Sequence, residues 1–381
     1  MGTPKILSNK IVSIEGLSFD DILLLPTYSA IKRKDVNLAT KLHPRINLKL
    51  PVISAPMDTV TEEKMAVAMA QDGGLGVIHR NLTIEKQAVM VKKVKNTKVI
   101  DKNRAAVDSS GRLLVAAAIG AGSDLTERTK MLIKANADIV VIDSGHGYSK
   151  PIIDAIKFIK QTFPKSIVMA GNVATYDGAR ALIKEKVDIL RVGMGPGSIC
   201  TTRVITGMGI PQVTAVSEAL RATVNTRVTV VADGGIKQVG DMAKALGIGA
   251  HAVMLGNLLA RFEESSGKTV VINGKKYKEY RGMGSNSAMK KGSAERYGQQ
   301  NQNGKKLIAE GIEGLLKFKG KTKDFLYQIE GSLHSSFYYL GAKNVEEFSE
   351  KARFIRISAA GFIESHPHSI IIEDPGDNYL K

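Results

Sequence analysis

A single cysteine, Cys200, stands in 381 residues. One thiol excludes an intramolecular disulfide, which fits a reducing cytoplasm. Long apolar runs are missing too: no segment approaches the roughly 18 apolar residues of a membrane span, so no membrane association is expected. The N-terminus, Met1-Gly-Thr-Pro-Lys-Ile-Leu7, lacks the apolar stretch of a secretory signal. Aromatic residues are scarce, at 5%. The lysine clusters at Lys92, Lys93, Lys95 and Lys98, at Lys275, Lys276 and Lys278, at Lys290 and Lys291, and from Lys317 to Lys323 contain few of them and no nucleic-acid-binding signature. Acidic residues are in deficit, 37 against 54 Lys and Arg, for a formal charge of +17. That excess reads first as a solvated basic surface. It would also favour a phosphorylated small-molecule substrate, with nucleic acid a secondary partner. What remains, 43% hydrophobic and 24% charged residues, is the composition of a globular chain able to bury a sizeable core.

The lone cysteine lies in Gly193-Met-Gly-Pro-Gly-Ser-Ile-Cys-Thr-Thr-Arg203, directly after an apolar strand-like run. A structural thiol more often sits inside a strand or helix. A thiol in a Gly-rich loop, flanked by Ser198, Thr201 and Thr202, has the surroundings of a nucleophile. The glycines allow backbone amides and carbonyls to point inward toward an anion, a cation or a reacting carbonyl. On residue types alone, a catalytic thiol and an ordinary loop cysteine both remain open.

Eight short apolar runs recur along the chain, at 51–54, 75–78, 115–119, 139–142, 167–170, 189–192, 229–232 and 252–255. Amphipathic stretches at 62–71, 84–94, 125–136, 152–162, 176–184, 217–224 and 238–246 follow the first seven, and 307–318 is the helix candidate after the eighth. Continuously apolar strands alternating with helices imply a parallel sheet covered on both faces. The count of eight favours a (β/α)8 TIM barrel over a doubly wound open sheet. Outside it lie an N-terminal extension (1–49), a polar irregular link (95–112), a long polar segment (261–306) with the length of an active-site flap, and a C-terminal appendage (319–381).

Barrel chemistry sits on the loops after the strands. The expected strand ends are Ser54-Ala-Pro-Met-Asp58, Asp143-Ser-Gly-His-Gly147, Gly171-Asn172, the Cys200 loop, Asp233-Gly-Gly235 and Gly256-Asn257. Glycines after strands seven and eight suit a phosphate cradle. A glycine after a strand is often only a turn; six such ends converging on one barrel mouth carry more weight.

These motifs closely resemble the IMP dehydrogenase family, over essentially the whole length. The likeness includes Leu17-Ser-Phe-Asp-Asp-Ile-Leu-Leu24, Ser54-Ala-Pro-Met-Asp-Thr-Val-Thr-Glu62, Gly74-Leu-Gly-Val-Ile-His79, the Cys200 loop, Ala232-Asp-Gly-Gly-Ile236, Tyr280-Arg-Gly-Met-Gly-Ser285, Ala309-Glu-Gly-Ile-Glu-Gly314 and Glu364-Ser-His-Pro-His368. GMP reductases share the barrel and cysteine loop. The segment Gly292-Ser-Ala-Glu-Arg-Tyr297 and the terminal Glu-Ser-His-Pro-His resemble the dehydrogenases instead.

The resemblance implies one catalytic domain over 1–381 that oxidises IMP to XMP with NAD through a covalent cysteine adduct, then hydrolyses it. Cys200 would be the nucleophile, Arg296 and Tyr297 the flap pair that activates water, and Thr202 with Glu310 a second proton relay. Ser198, Gly235, Gly256, Asn257 and Tyr280 would hold the phosphate, and Asp233 the ribose. Gly282, Met283, Gly284 and Glu310 would contact the base, with Ala55 and Met57 also at the substrate. Asp143, Ser144, Asn172 and Gly193 would bind the cofactor. Carbonyls of Gly195, Gly197 and Cys200 would hold potassium, completed by Glu364, Ser365 and His366 of a neighbouring subunit in a homotetramer. Asp143 and Asn172 also have an ordinary reading as turn or capping residues, and Arg296 one as a solvated lid residue.

Three departures stand out. The link 95–112 occupies the place where most family members carry a pair of CBS domains. Residues 331–339 read Gly-Ser-Leu-His-Ser-Ser-Phe-Tyr-Tyr, unlike the family's segment there. Asn257 replaces a phosphate-binding serine, and an amide can still donate to phosphate. A catalytically silent barrel that binds purine nucleotides or nucleic acid is the reading of a different class.

Overall fold

The computed structural model describes residues 10–299 and 306–374. Eight parallel strands close into a barrel: Val52–Ser54, Leu75–Ile78, Ala116–Ile119, Ile139–Asp143, Ile167–Val173, Ile189–Val192, Thr229–Asp233 and Ala252–Leu255. They are numbered one to eight below. Each pairs in parallel with its neighbours, and strand eight pairs with strand one. The expected TIM barrel is the observed fold. Its helices Glu63–Gln71, Ile84–Asn96, Leu125–Lys134, Lys150–Thr162, Tyr176–Lys184, Gln212–Thr223 and Val239–Ile248 cover the outside. Thr83 and Thr175 hydroxyls accept the backbone N–H groups of Lys86 and Gly178, capping two of these helices.

Strand residues alternate between two cores, as the two-residue period requires. Ile53, Leu75, Val77, Ala116, Ile139, Val141, Met169, Ile189 and Val231 fill the barrel axis. Val52, Val140, Ile142, Leu190, Val192 and Val230 pack against the helices. A hairpin of the N-terminal extension, Thr40–His43 with Ile46–Leu48, closes the bottom, and Leu42, Ile46 and Leu48 join the axial core. Thr229 Oγ1 donates to Leu42 O at 2.8 Å, fixing that plug to strand seven.

Residues 307–318, expected as the last barrel helix, are not helical. Glu313–Lys317 is a strand pairing antiparallel with Lys275–Arg281, which pairs in turn with Thr269–Ile272. The helix against the eighth unit is Thr322–Leu340, which contains the altered 331–339 segment and buries Phe325, Leu326, Ile329, Leu333 and Phe337. Ile22–Leu24 pairs with Phe354–Arg356, so the N-terminal extension and C-terminal appendage form one sheet. The link after Asn96 folds onto the barrel: Lys95 Nζ binds Asp108 at 3.0 Å and Asp138 at 2.5 Å. Among the described residues no helix is long and apolar enough to cross a membrane.

Candidate active site

Strand register sets the upper layer of the barrel. Asp143 pairs with Gly171, and Gly171 with Arg191, on strands four, five and six. Asp143, Arg191 and Asp233 continue the inward alternation of Val141, Ile189 and Val231. Three charged residues therefore cap an apolar axis. Gly171 makes this arrangement feasible, because a Cβ there would collide with Arg191. Arg191, 3% exposed at its side chain, pairs with Asp143 and donates from Nε to Asp233 Oδ2 at 2.9 Å. Asn172 Nδ2 donates to Asp233 Oδ2 at 2.7 Å and to Gly193 O at 2.8 Å, while its buried Oδ1 has no partner.

The Cys200 loop is held from both sides. Arg203 donates to Met194 O at 3.2 Å and to Ile210 O at 2.5 Å, clamping its two ends. Thr201 N donates to Glu310 O at 3.1 Å, and Ile312 N to Ile199 O at 3.0 Å, so residues 310–312 run beside the loop. This pairing brings Glu310 to the cysteine. The Cys200 thiol donates to Thr202 Oγ1 at 3.2 Å. Arg203 is the charged neighbour of the thiol; burial lowers its pKa and Cys200 opposes that.

The segment Ser293–Tyr297 folds over the mouth as a 3-10 turn. Residues 300–305 of the expected flap lie outside the described residues. Arg296 pairs with Asp143, and its carbonyl accepts from Gly145 N at 3.3 Å. Burial alone would raise the Asp143 pKa, but Arg296, Arg191 and Arg80 outweigh it and hold the carboxyl below its ordinary value. Burial likewise opposes the charge on Arg296, yet Asp143, with Tyr297 and Asp233, raises its pKa above the usual guanidinium value. The perturbation that would make this arginine a base runs the other way in the docked flap. Burial raises the Tyr297 phenol, which stays neutral. Glu295 reaches back to Arg80 Nη1 at 3.0 Å. A Cβ at Gly122 would collide with its carboxylate.

One cavity of about 1500 Å3 joins these parts. It brings together every residue expected at the site except Glu364. Ser198, Gly235, Gly256, Asn257 and Tyr280 gather at one side; burial raises the Tyr280 pKa, and its hydroxyl bonds with Ser198. Asn257 Oδ1 accepts from Arg261 Nη2 at 3.1 Å. Met57 Sδ lies 3.9 Å from the Tyr280 hydroxyl. Ser144 lines the cavity but spends its hydroxyl on Gly171 O at 2.7 Å. Ser365 and His366 line the cavity of their own chain beside Phe362 and Ile357.

Four residues of the site escape a sequence reading. Arg191 left a signal, a charge at an inward position of an apolar strand. Arg80, Glu295 and Arg261 left none, since their partners are defined only by folding.

A closed parallel barrel with a loop thiol and a docked flap at its C-terminal mouth has the architecture of a (β/α)8 enzyme. Residues 16–368 match the sequence model of the IMP dehydrogenase / GMP reductase domain, and the chain belongs to that family. It is 38% identical to an inosine-5'-monophosphate dehydrogenase of Staphylococcus aureus (strain Mu50 / ATCC 700699), covering 96% of this chain and 98% of the relative. The same identity and coverage hold for an inosine-5'-monophosphate dehydrogenase of Aquifex aeolicus (strain VF5). Both alignments extend over more positions than this chain has residues, so the relatives carry an insertion that it lacks.

Proposed function

We propose that this chain is an NAD-dependent IMP dehydrogenase, acting in the cytoplasm as a homotetramer whose subunits each hold one catalytic domain. The observation that carries this reading is the shared cavity. Cys200, the docked Arg-Tyr flap and a set of neutral phosphate donors all line it.

The Cys200 thiolate adds to C2 of the hypoxanthine ring, with Thr202 holding the sulfur. NAD, when bound, would supply the acceptor for the hydride that leaves C2. Asp143, Asn172 and Gly193 would hold the nicotinamide riboside. The unpartnered Asn172 Oδ1 fits this role, since a ribose hydroxyl could donate to it. With the flap docked, Asp143 is taken by Arg296, so cofactor and flap use this carboxylate in turn. Once the flap is down, water attacks C2 and the C–S bond breaks, returning the thiolate. IMP, NAD and water become XMP, NADH and one proton.

Arg296, firmly charged when paired with Asp143, suits stabilising the attacked centre and orienting water better than removing its proton. Thr202, bonded to the thiol, and Glu310, whose carbonyl accepts from Thr201 N, would form the relay that carries that proton away. Potassium would be held by carbonyls of Gly195, Gly197 and Cys200. Gly197 O accepts from Cys200 N at 3.1 Å and keeps a second lone pair for a cation. A rapid-quench assay with IMP and NAD tests the reading. It should trap a purine adduct on Cys200 and release XMP; no adduct and no XMP would reject it.

A further inference from the structure

The donors gathered where the substrate's phosphate is placed are neutral: hydroxyls of Ser198 and Tyr280, backbone at Gly235 and Gly256, and the Asn257 amide. A phosphate monoester carries close to two negative charges at neutral pH. Arg261 lines the cavity beside this group. Its Nη2 donates to Asn257 Oδ1 at 3.1 Å, and its Nε is buried with no partner. Among the described residues no carboxylate forms an ion pair with it. The other arginines of the mouth are committed: Arg191 to Asp143 and Asp233, Arg296 to Asp143, Arg80 to Glu295, and Arg203 to the carbonyls of Met194 and Ile210. Burial lowers the Arg261 pKa, and the neighbouring Tyr280 hydroxyl, itself neutral, opposes this only in part. A half-buried cation without a counter-charge is costly in the free protein, and a bound anion removes that cost.

We propose that Arg261 is the charge partner of the substrate's 5′-phosphate and sets the preference for nucleotide over nucleoside. Asn257 is part of the same device. With its Oδ1 committed to Arg261, its NH2 is the group left for an anion. The guanidinium and the amide thus order each other before the phosphate arrives. The inference rests on reading the cavity as an IMP site.

The experiment compares kcat/KM for IMP and for inosine, which lacks the phosphate, in the intact enzyme. In the unaltered protein IMP should be strongly preferred. Arg261→Met should reduce kcat/KM for IMP about tenfold more than for inosine, through KM rather than kcat. Arg261→Lys, which keeps the charge and loses the planar fork, should recover part of the preference. An unchanged IMP-to-inosine ratio in Arg261→Met would overturn the inference and leave the IMP reading intact. Equal losses on both substrates would assign Arg261 to structure and also overturn it. Indifference to the phosphate in the unaltered protein would instead remove the phosphate site itself.

Discussion

Arg296, on the flap, is ion-paired with Asp143 at the end of the fourth barrel strand, where Arg191 already binds the same carboxylate. The pair occupies the position proposed for the nicotinamide riboside. On the proposed cofactor assignment, flap and cofactor would compete for one anchor, dividing hydride transfer from hydrolysis in time.

Arg296→Ala should consequently spare the first half. A first-turnover burst of NADH should survive, and the steady state should fall about a hundredfold as the water step slows. Stopped-flow absorbance separates the two phases. Equal slowing of both would mean that Arg296 is not confined to hydrolysis.

The contact between Arg80 and Glu295 should act as a second catch on the flap. Their side chains are only 10% and 22% exposed, so screening is limited. Arg80→Met or Glu295→Gln should each lower the steady-state rate about tenfold, allowing for partial exposure, and leave the burst in place. Gly122→Ala should do the same by blocking the seat of the Glu295 carboxylate. The exchange Arg80→Glu with Glu295→Arg should recover part of the loss; no recovery would argue against a direct pair.

The pH response follows from Asp143. Its folded-state pKa is depressed against burial by Arg296, Arg191 and Arg80. A carboxyl of this kind adds stability that is present above its unfolded value, about 3.9, and is lost as pH falls through the folded value. Flap docking should thus be level from neutral pH down to that region. The ratio of burst to steady-state rate from about pH 5 to about pH 8 reads this out. A change of docking centred near neutrality would assign the switch to another group.

The barrel was legible because its strands are buried on both faces and read as unbroken apolar runs. The stretch 307–318 misled because Ile308, Ile312, Leu315 and Leu316 recur at helical spacing. Its partner, Lys275–Arg281, is close only in the folded chain, and pairing with it overrides the local pattern. The site was legible where it is contiguous: the Cys200 loop, Asp233-Gly-Gly235, Arg296-Tyr297. It was opaque where function depends on distant pairs such as Arg80 with Glu295. The charge state of Arg296 was hidden for the same reason, since Asp143 lies far from it in sequence.

The C-terminal appendage gives a further prediction. Deleting the chain from Glu364 onward should abolish activation by potassium and lower activity, if carbonyls of Gly195, Gly197 and Cys200 need ligands from a neighbouring subunit. The barrel should stay folded, since its strands end at Leu255. Activity titrated with potassium and sodium chloride checks this. Undiminished potassium activation would show that the cation is held otherwise.

Cys200→Ser should still bind IMP, measured by calorimetry, and lose NADH formation on the order of a thousandfold or more, because an alcohol is a far poorer nucleophile than a thiolate at neutral pH. Turnover near that of the unaltered protein would exclude the adduct.

The most direct measurement incubates the protein with IMP, NAD and potassium and follows NADH by absorbance and XMP by chromatography. Equal amounts of both products are expected, with no consumption of NADPH when GMP replaces IMP. NADPH-dependent release of ammonia from GMP, with no XMP formed from IMP, would contradict it.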